Sequence, residues 1–150
     1  MLDNVREQQL TEVCQDLIRQ ASDSGQEENV VKAIEANFEK LGFDSWSRDK
    51  YGNIIGCIKG NKPGKKILFD GHIDTVPVPD PSQWTQPPYE GKIVDGKLYG
   101  RGTSDMKGQL SAMMAAVSYF AKDTNKDFAG ELYVAGVVHE EIFEGVSASS

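Results

Sequence analysis

The 150-residue chain contains two histidines, and one of them, His72, stands in the word FDGHIDTVP two residues before Asp74. Two acidic words follow it: Asp105 in YGRGTSDMKG, and the adjacent Glu140 and Glu141 in GVVHEEIFEG. Imidazole nitrogen and carboxylate oxygen are the donors that a divalent metal such as zinc takes in a catalytic site, where one position stays open for water. His72 supplies a nitrogen, and Asp74 is spaced to accept a hydrogen bond from the other ring nitrogen and so fix the tautomer. Asp105 lies between Gly102 and Gly108, where a compact backbone lets a short carboxylate approach an ion. Neighbouring carboxylates at the end of an apolar strand repel one another unless a cation or a shared proton relieves them. If one of Glu140 and Glu141 binds metal, the other is free to act as general base on metal-bound water.

Each word has a plainer reading. A single His-x-Asp arises by chance, a Glu-Glu pair is commonly a solvated face, and Ser104 or Asp105 ahead of a helix is ordinary N-capping. The combination favours a metal site. His139 is a further donor, but on a strand it points opposite to Glu140, which favours a packed or hydrogen-bonded role.

The elements that must position these words are spread along the chain. Leu10, Val13, Leu17, Ile18 and Ala21 step by three and four, predicting a helix over roughly 3–21. SDSGQ breaks it, with Asp23 or Ser24 placed to cap a second helix that carries Val30, Ile34, Phe38 and Leu41 and stops at Gly42. FDSWSRD, NIIGCIKG and KKILFDG read as short strands separated by the turns KYGN and NKPGK. The apolar triplet ILF predicts a strand covered on both faces. Residues 75–90 hold five of the six prolines and form a structured loop. Asp95-Gly96 predicts a hairpin turn. Leu110, Met113, Met114, Val117 and Phe120 mark a helix over roughly 107–122, with the two methionines as core filler. GELYVAGVV is one more buried strand. Helices alternating with strands predict an α/β fold, a layered sheet flanked by helices. His72 and the Glu pair follow strands, and Asp105 lies in the loop before the third helix. Ligands of open α/β sheets gather beyond the C-terminal ends of strands.

With 39% apolar and 26% charged residues, the composition is that of one soluble domain. A net charge of −7 argues against nucleic acid, which needs a basic face. Lys62, Lys65 and Lys66 are expected to face solvent. No membrane span is expected, and the polar start MLDNVREQQLTEVCQ is unlike a signal peptide, so a cytoplasmic location is the expectation. Cys14 and Cys57 are expected as buried free thiols. GNKPGKK has three residues between its glycines where a phosphate loop needs four, and GRGTSD lacks the third glycine of a dinucleotide fingerprint.

The words FDGHIDTVP, Trp84 followed by QPPYEGKIVDGKLYGRGTSDMKG, and GVVHEEIFEG resemble the dinuclear-zinc amidohydrolase and exopeptidase family. Acetylornithine deacetylases, succinyl-diaminopimelate desuccinylases, aminoacylases and glutamate carboxypeptidases belong to it. The resemblance runs from about Gly52 to the end, and the two N-terminal helices fit it. It implies a zinc-exopeptidase-like catalytic domain with two divalent ions, zinc first and cobalt or manganese as alternatives. His72 would bind one ion, Asp74 would orient it, and Asp105 would bridge both ions ahead of a cis bond to Met106. Glu140 would be the general base and Glu141 a ligand of the second ion. The family more often has aspartate at the position of His139. The implied reaction is hydrolysis of an amide, in a dipeptide or N-acyl amino acid, by a metal-bridging water. Family members are longer, with two further ligands and a lid domain that dimerises. Residues 1–150 are therefore expected to be the N-terminal portion of the catalytic domain, incomplete and inactive alone, from a homodimeric full-length protein. The competing reading is a non-catalytic α/β metal-binding or interaction module that keeps the loops. The substrate itself is not encoded in these words.

Overall fold

Three amphipathic helices and six strands form over residues 3–142, the residues that the computed structural model describes. Residues 143–150, which include the end of the GVVHEEIFEG word and GVSASS, lie outside the described residues. Helix α1 spans Asn4–Ile18 and starts where the Asp3 carboxylate accepts the Arg6 amide at 2.9 Å. Helix α2 spans Glu28–Leu41 and ends on Gly42 at φ 83°, a left-handed conformation open to glycine. Helix α3 spans Lys107–Asp123. Neither Ser24 nor Asp23 caps α2, whose N-cap is Glu27 without a side-chain bond; the Ser24 hydroxyl is engaged elsewhere. Likewise Met106, not Ser104 or Asp105, stands at the N-cap of α3.

Strands β1 (Ser45–Arg48), β2 (Ile54–Lys59), β3 (Lys62–His72) and β6 (Ala129–Val137) make a four-stranded sheet in the order β1-β2-β6-β3. β6 pairs antiparallel with β2 and parallel with β3. β4 (Lys92–Val94) and β5 (Lys97–Tyr99) form a separate hairpin about Asp95-Gly96, both at positive φ, as its turn residues require. NKPGK is not a separate turn: Lys62 already belongs to β3, and the irregularity appears as a register shift between Lys62 and Lys66. Lys62, Lys65 and Lys66 are exposed.

The core joins Val13 and Leu17 of α1, Ile34 and Phe38 of α2, Leu110 and Met114 of α3, and Ile54, Ile58 and Val134 of the sheet. Gly56 on β2 admits the Phe38 ring, since a Cβ there would fall 2.6 Å from it. Met114 is fully buried and Met113 packs against this cluster. The coverage expected for ILF is not found: β3 is the sheet edge, and Ile67, Leu68 and Phe69 are 51%, 59% and 39% exposed. A three-residue apolar run reports hydrophobicity but not which neighbour covers it. Both thiols are free, Cys57 buried and Cys14 half-buried. Among the described residues no helix is long and apolar enough to cross a membrane.

Candidate metal centre

Parallel pairing sets the frame of the site. His72 of β3 lies opposite Val137 of β6, so both strands end at one rim. The ladder continues one step further, where the Ile73 amide donates to the Val137 carbonyl at 2.8 Å. Beyond it the chain turns through His139, at φ 63°, into Glu140 and Glu141. Residues about seventy positions apart thereby face the same crevice.

His72 is the buried element of that crevice. Its Nδ1 donates to the main-chain carbonyl of Asp74 at 2.9 Å, while the Asp74 Oδ1 stands 3.5 Å away. The tautomer-fixing acceptor is thus chiefly the backbone of Asp74 rather than its carboxylate. A carbonyl only accepts, so Nδ1 keeps its proton and Nε2 is the atom turned toward the acids. Nε2 lies 2.9 Å from the Asp105 Oδ1 and 3.8 Å from the Glu140 Oε2. Ligand atoms of His72, Asp105 and Glu141 all fall within 4.8 Å of one another. The nearby carboxylate of Asp74, the bond with Asp105 and the Asp74 carbonyl raise the His72 pKa to about 9 against the opposing effect of burial.

The Asp74 carboxylate, fully buried, has another task. It accepts the amides of Glu140 and Glu141 at 3.1 and 3.0 Å and the Ser24 hydroxyl at 2.6 Å. Burial alone would raise its pKa, but His72, Ser24 and the two amides outweigh it and hold the group at about 2. Asp74 therefore stays ionised and fixes the turn that presents both glutamates.

Asp105 projects from the loop between β5 and α3, and the Asp105–Met106 peptide bond is cis. That loop is tied down by Lys107, which is fully buried and donates to the Gln20 carbonyl at 2.7 Å. Burial pushes the Lys107 pKa down to about 8, while the charges of Asp23, Cys14 and Asp74 act the other way. Gly108 allows the loop to double back, because a Cβ there would fall 2.2 Å from the Thr103 carbonyl oxygen. His139 is half-buried; its amide donates to the Glu27 Oε1 at 3.3 Å, and its Nδ1 has no hydrogen-bond partner. It lies past the strand end, so the alternation expected of it does not apply.

Sequence reasoning missed Ser22, Ser24, Glu27 and Lys107. Ser22 brackets the His72 segment, donating to the Ile73 carbonyl at 2.8 Å and accepting the Thr75 amide at 2.9 Å. The one signal for Ser22 and Ser24 was SDSGQ, which also reads as a helix break and cap; Glu27 and Lys107 carried none.

The donor set fits a divalent cation. Imidazole nitrogen and carboxylate oxygen are borderline and hard ligands that zinc, cobalt and manganese accept. Two carboxylates gathered this closely beside Glu140 repel each other unless positive charge lies between them.

Known proteins share this sequence pattern and fold. Residues 68–149 match the model described as peptidase family M20/M25/M40. The chain is 36% identical over 137 residues to the uncharacterized protein YgeY of Escherichia coli K12, covering 91% of this chain and 33% of that protein. Among solved structures it is similar to the M20 family metallo-carboxypeptidase Sso-CP2 of Sulfolobus solfataricus, at 25% identity and a TM-score of 0.74, over 94% of this chain and 32% of that one. Human carnosine dipeptidase 1 shares the fold at 21% identity and a TM-score of 0.75, over 96% and 34%. So does Bacillus subtilis YXEP, a dinuclear metal binding peptidase from the M20 family, at 22% and 0.70, over 94% and 37%. The chain spans about a third of the length of these relatives.

Proposed function

The chain belongs to peptidase family M20/M25/M40, and from that premise we propose that it carries part of a two-ion centre for hydrolysing an amide bond in a small peptide or N-acyl amino acid. The carrying observation is the meeting of His72, Asp105 and Glu141 ligand atoms within 4.8 Å. His72 and Glu141 would each hold one divalent ion and Asp105 would bridge the two, with zinc, cobalt or manganese suited to these donors. When bound, such ions supply Lewis acidity and lower the pKa of water.

The remaining steps belong to the chain's own groups. Glu140, 60% exposed at the rim, takes a proton from the attacking water on a carboxylate oxygen. The water oxygen bonds to the amide carbon, the carbon–nitrogen bond breaks, and Glu140 delivers the held proton to the departing nitrogen. Asp74 keeps His72 and the Glu140–Glu141 turn in place throughout. Because the chain spans a third of its relatives, turnover is a property of the intact gene product, to which further ligands, a substrate lid and a dimer interface would belong. Glu140→Gln in that product tests the reading: turnover should fall by about 10²–10⁴-fold with metal content unchanged. Equal activity would overturn it, and loss of metal along with activity would make Glu140 a ligand instead of a base.

A further inference from the structure

Past Val137 the chain leaves β6 through Val138, His139, Glu140 and Glu141, and a buried side chain from elsewhere in the fold receives each of these backbone amides. The Val138 amide donates to the Asn53 Oδ1 at 2.9 Å and the His139 amide to the Glu27 Oε1 at 3.3 Å. The Glu140 and Glu141 amides donate to the two oxygens of Asp74 at 3.1 and 3.0 Å. Asn53, Glu27 and Asp74 are 4%, 6% and 0% exposed. Main-chain donors in a run are ordinarily taken up by a ladder or a helix. Here side chains from three separate connections hold them instead.

The middle of this turn is strained. His139 has a φ of 63°, in the left-handed region, which a residue with a Cβ keeps only where its surroundings impose it. Glu27 supplies the acceptor at that point. Its Oε1 also accepts the Gly25 amide at 2.9 Å, so the acceptor is itself fixed. Glu27 stands at the N-cap of α2 but makes no side-chain capping bond there. Asn53 is fixed in the same way, its NH2 donating to the Asp49 Oδ2 at 2.8 Å. Burying a carboxylate is costly unless hydrogen bonds compensate it, so packing alone gives no reason for an acid at position 27.

We propose that Glu27 is a positioning residue for the Glu140–Glu141 pair, acting through the backbone of His139 with Asn53 as its support. This rests on the amide-hydrolysis reading for what each glutamate does, and adds what aims them. Asp74 grips the far side of the turn, and Glu27 grips the near side. With Asp74 alone the two glutamates keep their tether but can swing about it. The Glu140 Oε2 stands 3.8 Å from His72 Nε2, and a displacement of about 1 Å in such a group costs up to ~10²-fold in rate.

The test uses the intact gene product and compares the wild type, E27A, E27Q and S118A. Ser118 donates to the Leu41 carbonyl at 2.6 Å, toward the end of α3 opposite the Asp105 loop. S118A therefore loses a buried hydrogen bond without touching the turn. In the metal-free protein, E27A should speed hydrogen exchange at the amides of residues 139–141 about tenfold relative to the rest of the sheet. E27Q keeps an accepting oxygen and should restore protection. With metal restored, E27A should weaken metal binding and lower kcat by about tenfold each, with KM changed by less than about twofold. E27Q should regain most of both, and S118A should lower the melting temperature while keeping them. The proposal is overturned if E27A exchanges like the wild type at residues 139–141, if E27Q is no better than E27A, or if S118A reproduces the E27A losses. Should E27A not fold, E27D takes its place, its acceptor one methylene short; E27D equal to E27Q and the wild type overturns the proposal. A wild type that binds metal and hydrolyses no amide would refute the amide reading alone, and exchange and metal affinity would then decide the role of Glu27.

Discussion

The carboxylate of Asp74 holds the backbone amide of Glu141 at 3.0 Å, and with it the neighbouring amide of Glu140 at 3.1 Å. The end of one strand thus grips the turn that leaves the adjacent strand. Asp74→Asn keeps one accepting oxygen but turns an NH2 group toward an amide that also donates. Metal affinity should fall about 10–100-fold, and stability by about 1–3 kcal/mol. Competition against a calibrated chelator and thermal unfolding of the same sample measure the two; unchanged affinity would separate Asp74 from the centre.

The proton on His72 competes with metal. In the metal-free protein its pKa of about 9 lies above the ordinary 6.5. A raised histidine pKa stabilises the fold fully below about pH 6.5, and that contribution fades as pH climbs through about 9. Metal uptake at pH 8 should therefore release close to one proton from this ring, and affinity should rise with pH up to about 9. Calorimetry in buffers of different ionisation enthalpy reads the proton directly; heats independent of buffer would contradict it.

Asp74 gives the opposite sign. With its pKa held at about 2, below the ordinary 3.8, its contribution is complete above about pH 4 and disappears as pH falls through 2. Acid unfolding of Asp74→Asn should lack that component, whereas a parallel shift of the whole curve would assign the loss to packing.

Lys107 anchors the Asp105 loop from inside the protein. Lys107→Met leaves the Gln20 carbonyl without its 2.7 Å donor and removes the buried cation whose charge acts on Asp23 and Asp74. Removing one partner of a buried charged set costs roughly 3–5 kcal/mol. A melting temperature equal to the wild type would show that the ammonium contributes nothing net.

Gly108→Ala places a methyl 2.2 Å from the Thr103 oxygen, a clash with rigid backbone. The loop must shift, destabilising the protein by about 1–3 kcal/mol and moving Asp105 away from His72. Weaker metal binding should accompany the lower unfolding temperature.

The helices and the hairpin were legible because their signals are local: a step of three and four for α1, α2 and α3, and Asp95-Gly96 for the turn. The convergence of His72, Asp105 and Glu141 was legible because His72 ends strand β3, Glu141 follows β6 and Asp105 lies in a glycine loop. The exposure of Leu68 was not, since covering a strand depends on neighbours that an apolar triplet does not name. Ser24 was misread for a related reason. Its hydroxyl had two acceptable outcomes, an N-cap or a long-range acceptor, and only the proximity of Asp74 in space decides between them.

Residues Ala129–Val137 sit between β2 and β3, although they are made after both. The earlier two strands share no ladder of their own, and β6 joins them. Its arrival brings Glu140 and Glu141 to His72 in the same movement. A metal site built on these residues would therefore exist only where β6 is paired with β3.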